Sequence, residues 1–257
     1  MDDQELRRQI YEASLPLLQG RVVTDLVIGI SLLAVELNHR DVAVSYVLRE
    51  ELKGGCSIFS YAQDTVGMSA VDAGLWFAEG RDAVQKAIGG AVINAASGLL
   101  PMVDCREHPF GAEILPTDTI GMVGNIHPVA AALRNQGCRV LIFDKGQCPH
   151  GAPAGDLHPM EEQPLLLPNC DVVFLSGTTM LNGSAADLFS LCSQAREVIL
   201  MGSSTPMIPS GYQGTPVTVL AGSHWKSENK ATIFRLISQA AGIKALGPYI
   251  IKRSVRI

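Results

Sequence analysis

The sequence has few aromatic residues, few charged residues and no long apolar run. Aromatic residues make up 5% and charged residues 18% of the 257 positions, whereas 47% are hydrophobic. The apolar mass is alanine, valine, isoleucine and leucine, as in α/β proteins whose sheets are covered on both faces. This composition excludes a disordered chain, and the length is sufficient for two domains.

No segment is long and apolar enough to cross a membrane. The longest strong apolar stretch, Leu26 to Val35, is closed by Asp25 and Glu36 and has about half the length that a bilayer crossing requires. The N-terminus is charged and lacks the apolar core of a signal peptide. The six cysteines, at positions 56, 105, 138, 148, 170 and 192, form no CxxC pair and are expected to be reduced thiols. We therefore expect a cytoplasmic protein with no membrane partner.

Positive charge is scarce in one long stretch of the C-terminal half. Between Lys145 and Lys226 the only basic residue is Arg196. A surface built from this stretch cannot neutralise a run of phosphates, so we expect no nucleic-acid partner. A cation, a metal chelate or a neutral ligand fits it better, unless the basic residues lie elsewhere by chance. A homo-oligomer is compatible with the sequence, which does not indicate an oligomeric state.

The first hundred residues place strands before the longer helices. Residues 3–19 have helical apolar spacing, residues 23–38 predict two strands that fold back on each other, and residues 41–50 predict a third. Residues 70–98 then predict two helices. This order is typical of an α+β domain, which we place at residues 1–110 with its boundary in the proline- and glycine-rich segment 101–116.

From residue 111 onward the pattern changes to alternating strands and helices. The predicted strands are 119–123, 139–144, 171–176, 198–201 and 217–221, and the predicted helices are 128–136, 185–194 and 227–240. Short apolar runs separated by helices imply crossover connections and therefore a parallel sheet. The sequence thus predicts a Rossmann-like α/β domain over residues 111–257. In such a sheet a ligand binds beyond the carboxyl ends of the strands.

Glycine or small polar residues follow the predicted strands and together predict a pocket for a small ligand. After the first strand, the two glycines of GMVGNIHP permit a tight turn, and about twenty residues later Asp144 has the position of a ribose-binding acid. The spacing is GxxG rather than GxGxxG, so a purely structural turn is the alternative. The candidate ligand-binding residues are Gly121, Gly124, Asn125, His127, Pro128, Asp144, Ser176, Gly177, Thr178, Thr179, Asn182, Gly202, Ser203, Ser204, Thr205 and Pro206.

Two of these turns also have the chemistry of helix starts. Ser184 and Asp187 have capping-box spacing, and Thr205 could cap a helix that has Pro206 in its first turn. After the fifth strand, His224 could titrate, bind a metal or cap a helix.

The loop after Asp144 combines Cys148, His150, Asp156 and His158 within eleven residues. Thiolate, imidazole and carboxylate groups can supply three or four ligands to a divalent transition metal. The spacing matches no standard zinc module, so a solvated loop is the alternative. Cys148, His150 and His158 are the candidate metal ligands. No phosphate loop, nucleophile elbow or zinc-helix motif is present, and no catalytic residue can be assigned.

Three motifs resemble those of the putative heavy-metal chelation family: GMVGNIHPVAAAL (121–133), DVVFLSGTTMLNGS (171–184) and MGSSTPMIPSGY (201–212). Residues 83–97 resemble the helix that closes the family's first domain. The resemblance implies an enolase N-terminal-like domain joined to a Rossmann-like domain, with a site in the cleft between them. The CPH loop at 148–150 matches no family motif. The residues that match are Gly121, Gly124, Pro128, Gly177, Thr178, Thr179, Asn182, Gly202, Ser204, Thr205 and Pro206.

Three functions are compatible with these features. The first is binding, with or without processing, of a metal ion or metal-chelate small molecule in the interdomain cleft. The second is an enzyme that binds a nucleotide-type cofactor, S-adenosylmethionine or NAD, with Asp144 on the ribose. An adenosyl ligand without phosphates suits the scarcity of cations better than NAD does. The third is a ligand sensor without catalysis. The sequence does not indicate which N-terminal residues face the cleft.

Overall fold

The N-terminal half contains a three-stranded sheet covered by helices. The structure is a computed structural model that describes residues 1–52, 54–55, 59–100, 109–145 and 156–257. The strands are antiparallel in the order β1-β2-β3. The first helix, the three strands and the two helices predicted within residues 70–98 are confirmed. The elements are α1 (Asp3–Leu18), β1 (Val23–Ile28), β2 (Leu32–Leu37), β3 (Asp41–Tyr46), α2 (Ala62–Thr65), α3 (Ala70–Glu79) and α4 (Ala83–Ser97).

The C-terminal half is built on a sheet with the order β10-β9-β8-β7-β4-β5-β6. All neighbouring strands are parallel except β9 and β10, which are antiparallel. The predicted fold class, a Rossmann-like parallel sheet preceded by a smaller α+β unit, is confirmed. The elements are β4 (Thr119–Val123), α5 (His127–Asn135), β5 (Arg139–Phe143), β6 (Leu157–His158), α6 (Gln163–Leu166), β7 (Val172–Ser176), α7 (Thr179–Asn182), α8 (Ala185–Leu191), β8 (Glu197–Met201), β9 (Val219–Trp225), α9 (Lys230–Ser238), α10 (Ile243–Leu246) and β10 (Ile250–Arg256).

Several features of this half differ from the prediction, among them the short strand β6, which includes His158 of the predicted loop. Strand β10 was not predicted, because its apolar residues do not alternate regularly with polar ones along the edge of the sheet. The segment that begins at Pro206 does not start an α-helix, and the chain forms only a short 3-10 turn at Pro209–Tyr212 before β9. The expectation that Thr205 and Pro206 open a helix was therefore wrong.

Apolar residues cover both faces of the large sheet. On one face, Met122 and Phe174 belong to a cluster with Leu133 of α5. On the other face, Leu175 and Leu200 belong to a second cluster, which also contains N-terminal residues. Because this cluster of buried side chains extends through both halves, the division into domains at residues 1–110 and 111–257 stays a prediction.

Glycine in α4 allows close packing of two helices in the N-terminal half. A Cβ atom at Gly89 would collide with the backbone nitrogen of Phe77 in α3. The conformational cost of a glycine inside a helix is therefore offset by the short distance between α3 and α4. No described helix is long and apolar enough to span a membrane.

Helix α1 is hydrogen-bonded to the C-terminal half along one of its sides. Asp3 Oδ1 accepts hydrogen bonds from the backbone N–H groups of Ala185 (3.0 Å) and Ala186 (3.2 Å) at the start of α8. One turn and a half later, Gln9 Nε2 donates to the carbonyl oxygens of Gly211 and Gln213, each at 3.0 Å. A carboxylate at a helix N-terminus satisfies unpaired N–H groups and interacts favourably with the helix dipole.

We expect Asp3→Ala to lower the free energy of unfolding by about 1 kcal/mol, because two N–H groups of α8 lose their acceptor. Urea denaturation measures the loss. Glu12→Ala is the matched control, since it removes the same charge from an exposed position on the same helix. Equal losses in the two variants would contradict a capping role for Asp3.

Candidate functional site

The order of the strands makes the ends of β4 and β7 the point at which the chain direction across the large sheet reverses. From β4 the chain continues to β5 on one side, whereas β7 continues to β8 on the other, so this is the topological switch point at which α/β proteins bind ligands. Gly124 follows β4 and has φ +92°, and a Cβ atom there would lie 2.8 Å from Cβ of Ser176 at the end of β7. Glycine is thus needed both for the turn and for the contact between the two strand ends.

The turn after β4 is bound to the end of β5. The backbone N–H of Asn125 donates to Asp144 Oδ2 at 2.6 Å. The side-chain Oδ1 of Asn125 is buried and has no hydrogen-bond partner among the described residues. His127 and Pro128, which begin α5, are exposed. This end of the sheet therefore carries a carboxylate, a buried amide oxygen and an exposed imidazole.

Hydroxyl groups organise the turn after β7. Ser176 Oγ lies 2.8 Å from Thr178 Oγ1, and Thr179 Oγ1 donates to the carbonyl oxygen of Ser176 at 2.7 Å. Asn182 Oδ1 accepts from the Ser184 hydroxyl at 2.7 Å. The predicted capping box was wrong, because Ser184 makes no side-chain cap and Asp3 binds the first N–H groups of α8 instead.

The turn after β8 packs directly on the turn after β7. A Cβ atom at Gly177 would lie 2.5 Å from the backbone nitrogen of Thr205, so only glycine permits this approach. Gly202 has φ +111°, in the region that favours glycine. The side chain of Thr205 is 1% exposed, and its Oγ1 has no hydrogen-bond partner among the described residues.

The same turn carries the contact with the N-terminal half. Ser204 Oγ lies 3.0 Å from Ser45 Oγ and accepts from the backbone N–H of Tyr46 at 2.9 Å. In α4, Asn94 accepts from the backbone N–H of Met207 at 2.9 Å and donates to the carbonyl oxygen of Ser203 at 3.4 Å. The structure thus joins the predicted Ser203 and Ser204 to three N-terminal residues that sequence reasoning missed. Only Asn94, a polar residue inside an apolar helix, gave a detectable signal.

Gly121 differs from the other predicted site residues in its position. It lies within β4, and a Cβ atom there would lie 2.7 Å from Leu167 and 3.0 Å from the sulfur of Cys170. The space beside Gly121 is therefore filled by core side chains. The remaining predicted ligand-binding residues lie at the ends of β4, β5, β7 and β8 or in the segments that follow them, at one edge of the sheet.

Of the predicted metal ligands, His158 is the one that the structure describes. Its Nδ1 lies 2.9 Å from Glu162 Oε2, and its Nε2 is buried and has no hydrogen-bond partner among the described residues. It stands beside Phe143 on β5, the residue before Asp144. Asp156 instead forms an ion pair with Arg134. Cys148 and His150 lie outside the described residues, and within those ranges no group of three His, Cys, Asp or Glu side chains could hold a metal.

The described cysteines lie at the opposite edge of the sheet. Cys138 precedes β5, Cys170 precedes β7, and Cys192 follows α8 before β8. Burial raises the pKa of all three thiols, to about 11 for Cys170 and about 12 for Cys192. They are protonated at neutral pH and are therefore poor metal ligands.

Charge is also distributed unevenly between the two edges. Arg196 is the basic residue between Lys145 and Lys226. Its guanidinium group donates to Asp118 Oδ2 at 2.6 Å. Asp118 precedes β4 and Arg196 precedes β8, so this ion pair lies at the amino edge of the sheet. It contributes no positive charge to the carboxyl edge.

The strand order and the helices define an α/β protein with a Rossmann-like sheet and a smaller α+β unit. Two family models, both described as putative heavy-metal chelation, match residues 11–97 and residues 109–256. The second match alone covers more than half of the chain. The chain therefore belongs to the putative heavy-metal chelation family.

Two solved structures of unknown function share this fold over nearly the whole chain. One, from Pyrococcus horikoshii, has a TM-score of 0.79 at 21% identity and covers 98% of this chain and 100% of its own. The other, from Desulfitobacterium hafniense DCB-2, has a TM-score of 0.75 at 19% identity, with coverages of 96% and 98%. At these identities the likeness shows the fold alone.

A relative in sequence is an uncharacterized protein of Methanocaldococcus jannaschii, which is 28% identical over 161 residues. The alignment covers 61% of each protein, so the chain spans about three fifths of the length of this curated relative.

His224 makes the stability of the fold depend on pH. A Cβ atom at Gly98, which follows α4, would lie 2.7 Å from its Cε1. Burial lowers the pKa of His224, Arg253 lowers it further, and Asp41 opposes the shift. Because the fold favours the neutral imidazole, this contribution to stability is present above the unfolded pKa of about 6.5 and is lost as the pH falls below it.

We expect His224→Gln to flatten the decrease in unfolding free energy between about pH 7 and pH 5, because glutamine does not titrate there. Urea denaturation of both proteins at several pH values measures the slope. His127→Gln, at an exposed position, is the control. A slope that changes only in the control would refute the assignment to His224.

Proposed function

We propose that this protein binds a metal ion or a metal-chelate small molecule at the carboxyl edge of the large sheet, beside β5 and β6. The observation that carries the proposal is the imidazole of His158. Glu162 holds its Nδ1 at 2.9 Å, which leaves the buried Nε2 as an acceptor without a partner among the described residues. A carboxylate on one ring nitrogen is the usual way in which a metal-binding histidine is oriented.

The donor atoms at this edge suit some metals better than others. His158 offers nitrogen, whereas Asp144, Asn125 and the hydroxyls of Ser176 and Thr178 offer oxygen. Nitrogen and oxygen donors fit borderline and hard divalent cations, while thiophilic metals prefer the sulfur atoms that the described part of the chain places at the other edge. Cys148 and His150 stay proposed ligands that lie outside the described residues.

Each part of the proposed site has a separate role. His158 holds the metal, which when bound would act as a Lewis acid on its ligands. The strand-end oxygens of Asn125, Ser176 and Thr178 contact the organic part of a metal complex. The family's description as putative heavy-metal chelation supports a metal-containing ligand.

Native mass spectrometry of protein purified without chelators, with metal analysis of the same sample, tests the proposal. A retained metal, or an added mass equal to that of a metal chelate, supports it. A retained nucleotide without metal would reject it.

We expect Glu162→Gln to weaken Co²⁺ binding by about 10- to 100-fold, because the imidazole of His158 loses the group that orients it. His158→Gln should weaken binding at least as much. Absorption of the bound cobalt, followed in a titration, gives the affinities. Glu161→Gln is the matched control, because it makes the same change at the exposed neighbouring position. Equal affinities in the Glu162 and Glu161 variants would exclude a metal-orienting role.

A second candidate is binding of an adenosyl cofactor, favoured by the position of Asp144. This carboxylate lies at the end of β5, next to the glycine turn, where Rossmann proteins bind a ribose hydroxyl. We expect isothermal titration to show heat with S-adenosylmethionine and none with NAD at millimolar concentration. Absence of heat with both ligands would reject this candidate.

A further inference from the structure

We propose that the carboxyl end of β9 is an anion-binding site, in which His224 of β9 and Arg253 of β10 bind a carboxylate or phosphate group of a ligand. The site is separate from the metal site proposed beside β5 and β6, because β8, β7 and β4 lie between β9 and β5. Four strand spacings, about 19 Å across the sheet, separate β9 from β5. A metal at His158 is therefore not required for the anion to bind.

Strand β10 brings positive charge to this end of the sheet. The chain between Lys145 and Lys226 is poor in cations, but β10 follows it and carries Lys252 and Arg253. Because β10 runs antiparallel to β9, its first half lies beside the carboxyl end of β9. Both cations therefore lie at the same edge of the sheet as the strand-end turns, although they follow the cation-poor stretch in sequence.

The register places Arg253 and His224 on one face of the sheet. Arg253 lies opposite Gly222, and Ile251 lies opposite His224. Directly opposite residues share a face, and so does every second residue along a strand. Arg253 and His224 are therefore diagonal neighbours, a separation that a long side chain can reach across. Gly222 adds no side chain between them.

This face is directed toward the N-terminal half of the chain. A Cβ atom at Gly98, which follows α4, would lie 2.7 Å from Cε1 of His224, and one at Gly222 would lie 2.4 Å from the sulfur of Met207. His224 and Arg253 are both partly buried, and Met207 is fully buried. An apolar side chain beside the two polar groups excludes water from one side, which strengthens an electrostatic contact made there.

The charge of Arg253 is not neutralised by the described residues. Within the described ranges its guanidinium group has no hydrogen-bond or ion-pair partner. Asp41 is the carboxylate whose charge acts on His224, and it is already paired with Arg21. The last two turns of α4 carry no charged side chain. A partly buried cation without a counter-charge favours the binding of an anion.

The two groups suit an oxyanion better than a metal ion. Burial lowers the pKa of His224, Arg253 lowers it further and Asp41 opposes the shift, so the imidazole is neutral at neutral pH. A neutral imidazole has one N–H donor, and the planar guanidinium group can donate two parallel hydrogen bonds to a carboxylate or phosphate group. A metal ion at His224 would instead be repelled by the charge of Arg253.

Two anions test the site in the full-length protein without knowledge of the natural ligand. Malonate presents carboxylates, pyrophosphate presents phosphates, and each is compared with chloride at equal ionic strength. We expect at least one of them to raise the pKa of the His224 imidazole, because a bound anion stabilises its protonated form. NMR signals of the ring, followed between about pH 5 and pH 8, measure the shift. Their absence from His224→Gln identifies them.

The same titrations distinguish the two sources of the oxyanion. A shift with malonate alone assigns a carboxylate ligand, and a shift with pyrophosphate alone assigns a phosphate ligand. A shift with both supports recognition of the oxygen atoms that the two groups share.

Arg253→Gln removes the positive charge but keeps a polar side chain. We expect it to weaken binding of the anion that shifts His224 by about tenfold or more, because hydrogen bonds from a charged group are lost. The control is Lys252→Gln, which removes the same charge from the exposed neighbouring position on the opposite face of β10. Circular dichroism checks that both variants are folded.

The absence of a His224 shift with either anion would overturn the proposal, and this measurement requires no variant at Arg253. Equal losses of affinity in the Arg253 and Lys252 variants would also overturn it, because the attraction would then come from the net charge of β10. His158→Gln should bind the anion as the unmodified protein does. Failure of metal binding would therefore leave this result unchanged, whereas loss of anion binding in His158→Gln would contradict a separate site.

Discussion

The contact between the turns after β7 and β8 fixes the carboxyl edge of the large sheet. Gly177 lets the backbone of Thr205 approach to a distance that any Cβ atom would prevent. The same turn after β8 is bonded to β3 through Ser204 and to α4 through Asn94. The packing of the strand-end turns and the packing of the two halves therefore depend on the same short segment. A movement of this segment would therefore change both the strand-end turns and the contact between the two halves.

This dependence explains why polar residues in the turn after β8 are buried. Ser203, Ser204 and Thr205 are 5%, 2% and 1% exposed. The Ser204 hydroxyl contacts Ser45 of the N-terminal half, whereas the Ser203 hydroxyl contacts Ser223 of β9. A hydroxyl in such a position satisfies a hydrogen bond across an interface without the cost of burying a charge. Residues with a ligand-binding pattern in the sequence can thus also serve as interface residues.

The fold could be predicted from local patterns, whereas much of the site could not. Strands β4, β5, β7, β8 and β9 are buried on both faces, and their short apolar runs were visible in the sequence. Strand β10 lies at an edge, and its run IIKRSVR has no regular alternation. The glycines of the strand-end turns were also detectable, because each permits a turn or a close approach.

Contacts between residues far apart in sequence explain the errors. The capping of α8 was assigned to Ser184, whereas the cap is Asp3, more than 180 residues earlier. Ser45 and Tyr46 are ordinary strand residues by pattern, and only the docking of β3 beside the turn after β8 brings them to Ser204. No local rule contains that information. The prediction that Cys148 and His150 bind a metal stays a prediction for another reason, because both residues lie outside the described residues.

The two edges of the sheet differ in their chemistry. Buried, protonated thiols and the ion pair of Arg196 with Asp118 lie at the amino edge, and hydroxyls, amides and carboxylates lie at the carboxyl edge. Among the described residues, the thiols therefore lie away from the oxygen donors of the carboxyl edge. A metal bound beside His158 would be held by nitrogen and oxygen atoms of the described residues.

The hydrophobic cluster that extends through both halves has a consequence for how the protein unfolds. The chain has two tryptophans, Trp76 in α3 and Trp225 in β9, and both pack in or against this cluster. Loss of the cluster exposes both indole rings, so their fluorescence follows one transition rather than two. A ligand at the sheet edge would then delay the change in emission of Trp76 as much as that of Trp225.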